Sequence, residues 1–210
     1  MQRSIRPILA LATLLSLCAA PALAGPPTDQ LKTSIDQVIK TVADPGLKLE
    51  SSADKRRAAI RQAASNIFDF GEAAKRSLAR HWQGLSEKDR QEFVSLFSDL
   101  LERAYIGKIE QYSGERIVYA GDSVDSDAAT ARTRFVTRRG TEIPVDYRML
   151  RRGDRWLVYD VSVEGLSLVA NYRSQFNKII ETSSYQDLVK RMRARSEDFG
   201  APGASGAKKS

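Results

Sequence analysis

Two residue types that carry much of protein chemistry are nearly missing. The 210 residues hold one cysteine, Cys18, and one histidine, His81. Cys18 lies in the first 24 residues, which read as an export signal. Arg3 and Arg6 supply a short positive start, PILALATLLSLCAA an apolar run, and Ala22-Leu23-Ala24 the small residues a signal peptidase recognises. An anchor that stays attached is the alternative, and so is lipidation of Cys18, against which the bulk of Leu17 argues. Cleavage before Gly25 leaves no cysteine, hence no disulfide and no thiolate nucleophile, which is compatible with an oxidising compartment. It also excludes metal sites built on clusters of histidine and cysteine. No G-x-S-x-G elbow accompanies His81. Beside Trp82, at a predicted helix end, this histidine reads as packed or capping, and the protein is expected not to be an enzyme.

Long apolar runs are also missing. Past the leader, none approaches the length that crosses a bilayer, so the mature protein is expected to be soluble. About 185 residues remain, enough for one domain over 25–199 with a sizeable core. GAPGASGAKKS, residues 200–210, reads as a disordered tail. Against 26 acidic residues stand 33 basic ones, a net charge of +7, which suits anionic membrane surfaces or acidic partners. Nucleic acid is excluded by the compartment.

What is present is pattern. Leu31, Ile35, Val38, Ile39 and Val42 share one helical face, which Thr28 can cap. A second helix follows from about Ala53, and FDFGEAAKRSLARHW makes a short third ending near Gly84. Residues 86–113 give the strongest helix signal. Ser86 caps it, and Phe93, Phe97, Leu100, Leu101, Tyr105 and Ile109 lie in one stripe that Gly107 interrupts. From Gly114 the period becomes two. RIVYAG, ATARTRFVTRRG, TEIPVDYRMLRR and RWLVYDVSVEG make an antiparallel meander of about four strands, with Pro144 marking an edge or a bulge. Helices over 166–181 and 184–196 follow. The fold class is α+β: N-terminal helices, an antiparallel sheet, and C-terminal helices packed over it. The helices at 86–113 and 166–181 are the expected covers of the sheet. Asp69 and Glu72 read as a helix cap, and Asp160 and Glu164 as the fastening of a strand-to-helix corner. Arg138, Arg139, Arg148, Arg151, Arg152 and Arg155 crowd two hairpin turns, either to meet phosphate or an acidic surface or as a solvated edge.

The corner carries a resemblance. WLVYDVSVEGLSLVANYRSQF, residues 156–176, is similar to the W-x-x-Y-D-x-x-x-E-G-x-S segment and following helix of the MlaC family of periplasmic lipid carriers. The FDF stretch, the HW pair, the long helix with Phe93, Phe97, Leu100, Leu101 and Tyr105, and Val145-Asp146-Tyr147 resemble the same family over nearly the whole mature chain. The resemblance implies an apolar cavity between sheet and helices that holds glycerophospholipid tails. It also implies a periplasmic shuttle, a monomer without cofactor. Such a shuttle works between an outer-membrane lipoprotein complex and the MCE-domain ring of an inner-membrane ABC transporter, and maintains outer-membrane lipid asymmetry. A hopanoid or another apolar small molecule is the alternative cargo, and a filled interaction module without ligand the alternative role.

The physics permits the first of these. Two acyl chains hold roughly 30 methylenes at about 0.8 kcal/mol each, so unshielded passage through water costs about 25 kcal/mol. The expected wall comprises Phe97, Leu101, Tyr105 and Ile109 of the long helix. The strands add Phe135, Val145, Tyr147, Met149, Trp156 and Val158, and the later helix Val169, Tyr172 and Phe176. A slip of one residue would exchange Trp156 and Val158 for Leu157 and Tyr159.

Overall fold

Pro26 and Pro27 open the first helix, α1 (Pro26–Ala43), where a missing amide costs nothing because no intrahelical acceptor exists. The free amides of Gly25 and Thr28 donate to the carboxylate of Asp122 at 3.1 and 2.9 Å. This cap comes from a distant strand and not from Thr28, whose side chain is buried. The structure is a computed structural model and describes residues 25–47 and 49–194. The expected export signal and C-terminal tail lie outside the described residues.

The other helices are α2 (Ala53–Ile67), α3 (Phe70–Leu78), α4 (Glu87–Glu110), α5 (Leu168–Thr182) and α6 (Tyr185–Arg193). Four of them start on a side-chain cap. Asp69, Ser86, Ser167 and Ser184 accept from the amides of Glu72, Asp89, Ala170 and Asp187 at 2.8 to 3.2 Å. Each such bond contributes about 1 kcal/mol to a first turn that otherwise has free donors. Gly107 does not break α4, which runs through it without interruption.

Between α4 and α5 lies one antiparallel meander in the order β1 (Arg116–Asp125), β2 (Ala128–Val136), β3 (Glu142–Arg152), β4 (Arg155–Val163) and β5 (Leu166–Ser167). The expected four strands are present, with a two-residue fifth. Ala129, Ala131, Thr133, Val145, Tyr147, Met149, Trp156 and Val158 alternate into the interior. Trp156 and Val158 are therefore the inward residues of β4, and not Leu157 and Tyr159. The register shifts beside Tyr159, since Arg148 pairs with Asp160 but Met149 with Val158. That bulge reverses the phase of β4, so Val161 packs inward while Asp160 meets the start of α5. Pro144 lies in β3, with β2 and β4 on either side, not on an edge.

The covers differ only in part from those expected: α5 does pack on β4. α1 and the end of α2 lie on the sheet: Leu31 and Ile67 join Ala131, Met149 and Val158 in one cluster. Small Ala129 and Ala131 let α1 approach closely. α4 joins α3, α5 and α6 in a separate helical core of Phe93, Phe97, Leu100, Tyr172, Phe176, Leu188 and Met192. The stripe on α4 finds enough apolar partners among helices, so it does not need the sheet.

Candidate functional site

The corner after β4 is held by three residues of the quoted segment. Glu164 and Gly165 both have positive φ, +50° and +81°, and form the two-residue turn between Val163 and Leu166. Asp160, 3% exposed, then receives the Ser167 hydroxyl at 2.7 Å and the Val169 amide at 3.0 Å, while Arg148 lies 3.6 Å away. Ser167 in turn caps α5. The aspartate fastens the corner as expected; Glu164 supplies a turn position, exposed to solvent.

Two apolar clusters result, and between them runs a seam. On the helical side Phe97 packs edge-on against Tyr172 and Phe176, with ring centres 5.4 and 5.6 Å away. Beyond Leu100, α4 has no buried residue. Leu101, Tyr105, Ile109 and, just past the helix, Tyr112 are half-buried. On the sheet side Ile35, Val38, Phe135, Ile143 and Val161 are half-buried against the second cluster. Phenols mark the seam. The hydroxyls of Tyr119 and Tyr172 are buried and find no hydrogen-bond partner, at a cost of about 1–3 kcal/mol each. Burial pushes both phenols up from 10.0 to about 12. Tyr105 is pushed further up, by burial first and by the Tyr172 phenol second. Tyr147 is raised likewise by burial and by Tyr119, with the Thr133 hydroxyl opposing. Asp36 of α1 acts on both Tyr112 and Tyr119, so α1, the end of α4 and β1 converge there.

Of the thirteen residues expected to line a cavity, the structure places Phe97, Val169, Tyr172 and Phe176 in the helical core, with the Tyr172 phenol near enough to Tyr105 of the seam to act on it. Val145, Tyr147, Met149, Trp156 and Val158 are buried on the sheet. Leu101, Tyr105, Ile109 and Phe135 border the seam, half-buried. Ile35, Val38, Tyr119, Ile143 and Val161 were not expected there. The stripe on α1 was visible, but nothing local told that it faces the sheet. Val161 was hidden by the bulge.

The six hairpin arginines do not form one patch. Arg148 pairs with Asp160, Arg151 with Asp127, and Arg152 with Asp69 and Glu72. Arg155 and Arg138 donate to the carbonyls of Asn66 and Ser113. His81 Nε2 lies 2.9 Å from Asn177 Oδ1, a contact that ties the end of α3 to α5. Among the described residues no group of three metal-binding side chains occurs and no helix is long and apolar enough to cross a membrane.

Two shallow surface depressions among the described residues lie outside the seam. One, of about 410 Å³, lies between α2 and α4 and is lined by Asp54, Arg57, Arg61, Asp99, Glu102 and Arg103. The other, of about 280 Å³, is lined by Leu78, Ala79, Arg80, Arg173, Ser174 and Asn177.

Three comparisons bear on this architecture. A model of the MlaC protein family matches residues 32–194. The intermembrane phospholipid transport system binding protein MlaC of Haemophilus influenzae is 19% identical over 167 residues, 77% of this chain and 78% of that one. A solved phospholipid-binding protein from Ralstonia solanacearum, in complex with a phospholipid, shares the fold with a TM-score of 0.72. It is 24% identical, and the alignment covers 80% of this chain and 96% of the other.

Proposed function

The chain belongs to the MlaC protein family, and from that premise we propose that it binds a glycerophospholipid and carries it through water without chemistry. The tails occupy the seam between the sheet, α1, α2 and the second half of α4, which parts to admit them. One observation carries this reading: the interior contains two buried phenol hydroxyls without partners, Tyr119 and Tyr172, beside a row of apolar side chains left half-covered. The tails complete the apolar contacts of Leu101, Tyr105, Ile109, Phe135, Ile35 and Val38, and ester or water oxygens reach the phenols.

The proposed setting is the periplasm. The cargo passes between an outer-membrane lipoprotein complex and the MCE-domain ring of an ABC transporter in the inner membrane, and this traffic maintains outer-membrane lipid asymmetry. Support comes from the leader-like first 24 residues and from the name of the Haemophilus influenzae relative, which places that protein in an intermembrane phospholipid transport system. A second reading has an observation of its own. Both surface depressions lie away from the seam, which favours a filled interaction module that contacts a transporter and carries nothing.

Native mass spectrometry of the purified protein, with extraction of its lipid, separates these. A co-purified two-chain phospholipid in one-to-one ratio is expected. A terpenoid would assign the seam to hopanoid-like cargo. A protein that stays empty after exposure to phospholipid vesicles would refute the carrier.

A further inference from the structure

We propose that the Tyr172 and Tyr119 phenols make the seam selective for acyl esters: each donates its hydroxyl hydrogen to a carbonyl oxygen that joins a tail to the glycerol. This rests on the phospholipid-binding reading above and names the linkage its cargo must carry. Elsewhere the chain supplies its phenols with partners. Tyr112 donates to the Glu115 carbonyl at 2.8 Å, Tyr185 donates to the Asp89 carbonyl at 3.2 Å, and Tyr147 meets the Thr133 hydroxyl. Among the described residues, the buried side-chain oxygens without a partner are these two phenols and the Thr28 hydroxyl at the start of α1.

The two phenols come from opposite flanks of the seam. Tyr172 is fully buried on α5 against the rings of Phe97 and Phe176, which offer no acceptor. It acts on Tyr105, a half-buried residue of the seam. Tyr119 lies on β1 opposite buried Thr133, and Asp36 of α1 acts on it. The helical core and the sheet thus each leave one donor open at their common boundary. Its surroundings define the partner. A group that enters must bring an acceptor without a donor, because a new N–H or O–H among apolar side chains needs an acceptor in turn. Water, an alcohol and an amide each bring such a hydrogen. A carboxylate accepts but is costly to bury as a charge. An ether oxygen accepts weakly, and a hydrocarbon skeleton does not accept. An ester carbonyl meets every condition and arrives attached to the apolar chain.

The test offers delipidated protein vesicles with equal amounts of dioleoyl phosphatidylcholine and its dioleyl ether analogue, which share head group and chain length. Lipid recovered with the protein is quantified by mass spectrometry. Wild type is expected to take the ester about fivefold over the ether, the effect of one net hydrogen bond. Tyr119→Phe combined with Tyr172→Phe should remove the preference. Tyr185→Phe, whose lost phenol bonds at the start of α4, should keep it, and circular dichroism checks each fold. A wild type that carries both lipids equally, or a double variant that retains the preference, overturns this inference and leaves the carrier reading standing. A wild type that takes up neither lipid overturns both. Oleic acid, added in equal amount, is expected to be recovered least. If it displaces both lipids from wild type but not from the double variant, the phenols serve a carboxylate and the ester assignment is overturned.

Discussion

Replacing Tyr172 with phenylalanine should stabilise the empty protein. The ring is fully buried, edge-on to Phe97 at 5.4 Å and stacked on Phe176 at 5.6 Å, and phenylalanine preserves both contacts. The hydroxyl is buried without a partner. Removing an unsatisfied buried polar group returns about 1–3 kcal/mol, and for a domain of this size each kcal/mol moves the melting midpoint by about 2–4 °C. A rise of about 2–12 °C is therefore expected in delipidated protein. Alkaline solution widens the gap. Because the folded protein holds the Tyr172 proton up to about pH 12 against an ordinary 10.0, the stability tied to it is intact below pH 10 and lost as pH rises towards 12. The phenylalanine variant lacks that loss. In lipid-loaded protein the advantage should shrink, since the ligand supplies the missing acceptor. Calorimetry of wild type and variant, with and without lipid, reads all of this. An empty variant less stable than wild type would show that the hydroxyl has a partner in the empty state, and the reasoning about the seam would fail at its base.

Asp160→Ala should cost about 2–4 kcal/mol, because it strands the Val169 amide, frees the Ser167 hydroxyl and leaves Arg148 alone. Urea titration checks it, and a loss under 1 kcal/mol would mean the corner holds without its aspartate, about the cost of an ordinary surface change. Tyr105→Glu and Val169→Glu should differ although both introduce a carboxylate. Val169 is 2% exposed in the helical core, so its charge should unfold the protein. Tyr105 borders the seam half-buried, so its charge should lower lipid retention while the circular dichroism spectrum stays folded. A folded Val169→Glu that carries lipid normally would refute the separation of core from seam.

Local chemistry determined more of this protein than its interior. The α+β order, the capping by Ser86 and Asp69 and the meander were all legible, since each depends on neighbours a few positions away, whereas the inward phase of Trp156 and Val158 was open by one residue until the structure chose it. The W-x-x-Y-D-x-x-x-E-G-x-S segment was legible as a family resemblance, and its physical reason is now local as well: a turn at Glu164 and Gly165, then an aspartate and a serine that start α5. Tertiary structure alone decided which stripe meets which. Phe97, Tyr105, Val169 and Leu31 look equally apolar along the chain. The first and third went into a helical core, the second to its border, and the fourth onto the sheet. The bulge at Tyr159, the Asp122 cap on α1 and the pairing of the hairpin arginines likewise depend on residues far apart in sequence. Periodicity states how much greasy surface an element must hide. It carries no information about the partner, because hydrophobic attraction is non-directional and only shape and chain connectivity choose among equal surfaces.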